Sequence, residues 1–251
     1  MAKNIKTIQS LERAYNILKC FEKKEELGVT EISNIVGLHK STTYNLISTL
    51  EHLDLLEKTK EDSKYKLGME LFRLGTMVNS NLRSVAMPYL EKLSELYSET
   101  VNLVARNGLK VIYLEKMDST HSMRISTREG QQLPLHCTGV GKAIISTLDE
   151  EEINSITKNL QFSKFTQYTV ASKEELIEQI DKARKRGYSE DIQELEPGLT
   201  CVAAPIRDHT GKSKFAISVS GPNTRMTKEV RRKIGITLVK YTEEISRKLG
   251  Y

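Results

Sequence analysis

The chain has 251 residues, 38% of them hydrophobic and 28% charged, with a formal net charge of +5 and a pI near 8.9. This is a soluble globular composition, long enough for one large domain or two ordinary ones. No stretch approaches the roughly 18 uninterrupted apolar residues of a membrane span.

The N-terminal MAKNIKTIQSLERA lacks the apolar run of a secretory signal. Cys20, Cys137 and Cys201 share no CxxC spacing, which argues against a zinc ribbon and a disulfide framework. A cytoplasmic protein is expected. The positive charge invites a nucleic-acid reading, yet basic and acidic side chains nearly cancel over residues 1–80. Any such case therefore rests on where the basic residues sit.

The first predicted helix is SLERAYNILKCFEKK, Ser10 to Lys24. Ser10 is its expected N-cap, and Leu11, Ala14, Ile17, Leu18 and Phe21 share one face. The second, TEISNIVG, takes Thr30 as cap and Gly37 as terminator, with Ile32, Ile35 and Val36 inward. A third runs from about Ser41 to Leu53. Leu55 to Gly68 reads as a hairpin around Glu61-Asp62-Ser63, and a connector helix follows from Met69. Helix, short helix, glycine turn, helix and basic hairpin is the order of a winged helix-turn-helix. Gly37 can take a positive φ between steeply crossing helices. Ser33 is small enough for their close approach, and Ile32, Val36, Leu38 and Leu46 are the expected shared core.

At about 100° per residue, Leu46, Leu50 and Leu53 of the third helix point together, with Thr42 and Thr43 flanking. Ser41, Tyr44, Asn45, Ser48 and His52 lie opposite. A solvated face is the plain alternative, but such faces usually carry Glu, Lys, Gln and Arg, which favour helix. Ser, Thr, Tyr and Asn instead bond phosphates and base edges; one of Ser41 and Thr42 could serve only as the N-cap. Lys58, Lys60, Lys64 and Lys66 then recur at every second position of the hairpin. They suit phosphate contact, or else protect an edge strand from pairing.

Beyond residue 82 the pattern becomes mixed. NLRSVAMPYLEKLSELYSET is helical, and Val101–Ala105 with Lys110–Glu115 form a hairpin around Asn107-Gly108. SMRIST is a further short strand. GKAIISTL and KEELIEQIDKARKRGY are helices, the second closed by Gly187. CVAAPIRDHTGKSKFAISVSGP is a second hairpin around Asp208–Gly211, and an amphipathic helix ends the chain. Antiparallel hairpins flanked by helices make an α+β domain.

TGVGKAI lacks the spacer and the hydroxyl of a phosphate loop, and no GxSxG is present. His136 and Cys137 are adjacent, which in a strand would aim them at opposite faces. No nucleophile–base–orienter set emerges. In AISVSGP, Ala216, Ser218 and Ser220 share one strand face, and Ile217 and Val219 take the other. With Cys201, Asp191 and the Gly139–Val140 backbone at a helix start, these hydroxyls could line a cavity for a small carboxylate. The alternative is an ordinary satisfied polar strand.

SLERAYNIL, VTEISNIVGLHKSTTYNLISTLEHLDLLEK, YKLG, PLHCTGVGKAIIS, KRGYSED, GLTCVAAPIRDHTG and AISVSGP together resemble the IclR family of bacterial transcriptional regulators, in order and over nearly the whole chain. The resemblance implies a winged helix-turn-helix over residues 1–68, a linker helix over 69–82 and a GAF-like effector-binding domain over 83–251. It implies a homodimer or homotetramer on double-stranded operator DNA, with a small organic or aromatic acid as effector. Neither cofactor, metal nor catalytic residue is expected. The recognition-helix contacts it implies are Lys40, Ser41, Thr42, Thr43, Tyr44 and Asn45; with Arg13, and with Ser48, Lys58, Lys64 and Lys66 from the helix face and the basic hairpin, they make up the expected DNA-contacting set. The effector-contacting set is Gly139, Val140, Asp191, Cys201, Ser218 and Ser220. Many relatives carry arginine at the position of Asn45 and alanine at that of Val140, so base preference and pocket shape are expected to differ here. A metal-dependent sensor or enzyme built on Cys201, Asp191 and His136 is the alternative.

Overall fold

The computed structural model describes residues 7–59, 63–77, 80–125 and 127–250. Two compact units divide the chain, residues 1–80 and 81–251.

In the first unit, α1 (Gln9–Lys19) runs into a short 3-10 turn at Cys20–Glu22, which delivers Phe21 to the core. α2 (Val29–Val36) and α3 (Lys40–His52) follow, then β1 (Leu56–Lys58), β2 (Tyr65–Leu67) and α4 (Met69–Thr76). Ile17, Phe21, Leu27, Ile32, Ile47, Leu50, Leu56 and Tyr65 are its buried core. Burying each such side chain contributes roughly 1.5–3 kcal/mol. Leu27 and Tyr65 exchange backbone hydrogen bonds of 3.0 and 2.9 Å, which stitch the hairpin to the helices. Gly37 terminates α2 at φ 65°, and Ser33 Oγ donates to the Leu38 carbonyl at 2.8 Å across that turn.

Several local expectations are corrected. Ile8, not Ser10, caps α1, without a side-chain bond, and Leu11 is exposed. Gly28, not Thr30, caps α2; the Glu31 carboxylate accepts from the Gly28 N–H at 2.9 Å. Ile35 is exposed. Lys60, Glu61 and Asp62 of the predicted hairpin lie outside the described residues. In the expected linker, α4 stops at Thr76 and a new helix begins at Ser80.

The second unit is a six-stranded antiparallel sheet in the order β5-β4-β3-β8-β7-β6. Its strands are β3 (Thr100–Asn107), β4 (Lys110–Met117), β5 (Gln132–Pro134), β6 (Ser189–Ile192), β7 (Leu199–Arg207) and β8 (Ser213–Pro222). Both predicted hairpins form, and Gly108 supplies the first turn at φ 62°. α5 (Ser80–Tyr97) and α9 (Lys228–Lys248) cover one face. Leu90, Leu93, Leu238 and Ile245 pack there on Leu103, Val202, Ile217 and Val219. α6 (Gly139–Ile145), α7 (Glu150–Asn159) and α8 (Lys173–Arg186) cover the other, with Ile144, Ile153 and Leu176 packing among Val104, Ala203 and Ala216. The strand predicted at SMRIST does not form at Ser122–Ile125 or Thr127 (Ser126 lies outside the described residues); β5 comes later, at Gln132. His136 and Cys137 sit in a turn before α6 rather than in a strand.

Candidate functional sites

The first site is built on α3. Its inward residues are Thr43, Ile47 and Leu50, with Leu46 packed beside them. Leu53, expected inward, follows the last helical residue with φ −90° and ψ 8° and is exposed. Thr43 is fully buried, and its hydroxyl donates to the His39 carbonyl at 3.2 Å. Thr43 is thereby withdrawn from the predicted contact set. A threonine can be core when its own helix accepts its hydroxyl proton.

The outward side carries Lys40, Ser41, Tyr44 and Asn45, all exposed, with Thr42 and Ser48 half-buried beside them. A concave surface of about 620 Å³ joins those four outward residues to Val29 and Thr30 of α2 and to Ser63 at the hairpin. Lysine and short hydroxyl and amide side chains, on a helix narrow enough for a major groove, suit base edges and phosphates. Thr30 and Ser63, expected from sequence only as a helix cap and a turn residue, join this surface through proximity rather than spacing. Arg13 is half-buried on α1 and does not line this surface. The hairpin register pairs Glu57 with Lys66 and Lys58 with Tyr65. Directly paired residues share a sheet face, so Lys58 lies on one face and Lys64 and Lys66 on the other. Lys66 Nζ stands 3.4 Å from the Glu57 carboxylate.

The second site lies in the sheet unit. Register aligns Asp191 with Cys201, and Cys201 with Ser220, across β6, β7 and β8. This row and the Gly139–Val140 start of α6 border a cavity of about 60 Å³. Thr138 caps α6 by accepting from the Gly141 N–H at 3.2 Å. Gly141 has to be glycine: a Cβ there would stand 2.0 Å from the Leu135 carbonyl oxygen. Five of the six predicted effector contacts therefore converge.

Ser218 is the exception. It sits on the next row, paired with Ala203 and Asn102; it is buried and does not itself line the cavity, though its side chain is within hydrogen-bonding reach of Cys201, which does. Asn102 Nδ2 donates to Ser218 Oγ at 3.3 Å, and Asn102 Oδ1 accepts from Thr127 Oγ1 at 2.8 Å. Thr127 does line the cavity, as do Tyr113, Thr138 and Glu196, none of which the sequence reading named.

Burial sets the electrostatics. Asp191 is 2% exposed, and desolvation pushes its carboxyl up to about 7, against the pull of Lys142. It accepts from the Glu194 N–H at 2.8 Å. Lys142 is fully buried and paired with the Glu194 carboxylate. Burial holds the thiols of Cys201 and Cys137 up at about 12, so both stay protonated and poorly nucleophilic. His136 contacts the Ser163 carbonyl at 3.2 Å and packs against Phe162, outside the cavity lining. The Cys201–Asp191–His136 alternative thus loses its third member. Among the described residues no trio of His, Cys, Asp or Glu is placed to hold a metal ion, and no helix is long and apolar enough to cross a membrane.

Residues 75–247 match the bacterial transcriptional regulator IclR C-terminal model, and residues 10–60 match the IclR helix-turn-helix domain. The HTH-type transcriptional regulator KdgR of Dickeya chrysanthemi is 33% identical over 247 residues, 98% of this chain and 81% of that protein. The HTH-type transcriptional repressor AllR of Salmonella typhi is 33% identical over 98% of this chain and 91% of its own length. The fold is shared with an IclR homologue from Microbacterium hydrocarbonoxydans crystallised with 4-hydroxybenzoate, at a TM-score of 0.85 and 22% identity over 96% of this chain and 99% of that one. A helix-turn-helix domain and an IclR C-terminal domain, each recognised in its own segment and together spanning most of the sequence, place this chain in the IclR family of bacterial transcriptional regulators.

Proposed function

We propose that this regulator is a cytoplasmic repressor whose DNA affinity is set by a small organic acid bound in the sheet-unit cavity. The observation that carries this reading is the row Asp191–Cys201–Ser220 facing the start of α6 around one enclosed space. In this reading Gly139, Val140, Asp191, Cys201 and Ser220 touch the effector, and Ser218 acts through Asn102 and Thr127. Lys40, Ser41, Tyr44 and Asn45 read the operator, with Ser48 at the margin and Lys58, Lys64 and Lys66 on phosphates. Two copies or four bind a palindromic site, as expected of helix-turn-helix dimers.

Asp191 gives the site its chemistry. A carboxyl that titrates near 7 can be protonated at neutral pH and donate a hydrogen bond to an incoming carboxylate. Binding of the anion then takes up a proton, so affinity falls as pH rises through about 7. The cavity is well below the several hundred Å³ of typical ligand sites, so an acid of aromatic size has to displace the wall at Leu195 and Glu196.

The test is a thermal-shift screen of small carboxylic acids, 4-hydroxybenzoate among them, at pH 6 and pH 8. A stabilising acid whose shift is larger at pH 6 and is lost in Ser220→Ala supports the reading. A stabilising acid that works equally in Ser220→Ala places its binding elsewhere.

A further inference from the structure

The cap of the recognition helix carries chemistry that the family assignment does not supply. His39 is the N-cap of α3, and its side chain accepts from the Ser41 N–H, with Nδ1 3.4 Å away. The same Nδ1 stands 2.8 Å from Ser41 Oγ. A backbone N–H can only donate, so Nδ1 carries no proton and the ring proton is on Nε2. The Ser41 hydroxyl therefore donates to Nδ1. A hydroxyl has one proton and two lone pairs. With its proton held by His39, Ser41 offers only lone pairs to whatever occupies the concave surface it lines.

Resting on the DNA-reading role of α3, we propose that His39 is a positioning residue that fixes Ser41 as a hydrogen-bond acceptor. Ser41 then reads an exocyclic amino group, adenine N6 or cytosine N4, in the major groove. Guanine N7 and O6 and thymine O4 present acceptors instead, and would meet the Ser41 oxygen lone pair to lone pair. His39 thus contributes to specificity without touching a base: it holds the rotamer and the proton of the residue that does.

The experiment uses the full chain and the duplex that it selects from a randomised pool. Ser41→Ala is expected to relax one base-pair position and lower affinity about threefold to tenfold, the worth of one hydrogen bond. His39→Ala relaxes the same position, and the double variant is no weaker than Ser41→Ala within about twofold, as expected for residues acting as one unit. His39→Gly keeps an acceptable N-cap, so its melting temperature stays near the parent value while the base preference is lost.

The polarity is read on the DNA. Replacing the adenine at that position by purine, or the cytosine by pyrimidin-2-one, removes the amino group. The parent protein then loses the same threefold to tenfold, and Ser41→Ala loses nothing further. Losses at His39 and Ser41 that multiply, or a parent indifferent to the amino group but sensitive to 7-deazaguanine, overturn the inference and leave the Ser41 contact standing. An unchanged preference in Ser41→Ala removes that contact, and with it the inference.

Discussion

Asn45 and Thr43 are two residues apart in one helix and answer to different physics. Asn45 is exposed on the concave surface, whereas Thr43 is fully buried with its hydroxyl bonded to the His39 carbonyl. Asn45→Ala is expected to cost about 1–3 kcal/mol on the selected operator and to relax one base pair. Thr43→Val should leave base preference unchanged. Competition binding on operator variants separates the two. Asp191 ties the stability of the fold to pH. Its carboxyl moves from 3.8 in the unfolded chain to about 7 in the fold. Between those values the folded state holds more protons, so this group's stabilising effect is full at low pH and is lost as pH rises through 7. Asp191→Asn removes that slope, and its melting temperature should gain on the parent more at pH 8 than at pH 5. Spacing on one helix made Asn45 legible in the sequence. The burial of Thr43 was not, because it depends on which carbonyl accepts its proton.

At the scale of elements, the hairpin and α6 carry the informative contrasts. The alternation of lysines in the hairpin was visible in the sequence, but the register that sends Lys58 to one face and Lys66 to the other was not. Lys64→Ala is expected to weaken operator and unrelated DNA alike and to lower the salt slope by about one. A loss confined to the operator would contradict phosphate contact. α6 was legible from GKAIIS, yet the closeness of Gly141 to the Leu135 carbonyl is a tertiary fact. Gly141→Ala should displace the helix start that borders the cavity and lower the melting temperature by several degrees or more. β6 and α7 went unread because one is only four residues of strand and the other carries just two apolar side chains, Ile153 and Ile156. The described residues of SMRIST pair with no strand despite their β-rich side chains, and propensity yields to pairing in such a segment.

For the whole molecule, order along the chain revealed more than composition did. The helix-turn-helix order and the two C-terminal hairpins were legible because each is local, closed by Gly37, Gly108 or the Asp208–Gly211 turn. The pairing of β3 with β8 joins residues more than a hundred positions apart, and it is this pairing that sets Asn102 beside Ser218. It also puts Ser218 on the row beside the cavity lining rather than within it. Control of DNA by a ligand further requires that the ligand favour one DNA affinity over another, a coupling typically worth five- to 150-fold.

The most direct measurement is therefore the dissociation constant for the selected operator duplex, with and without the acid that gives the largest thermal shift, in the parent and in Ser220→Ala. A change of at least fivefold is expected in the parent and less than twofold in the variant. Equal constants with and without the acid in the parent, under conditions where the acid is bound, would show that the bound acid does not control DNA affinity.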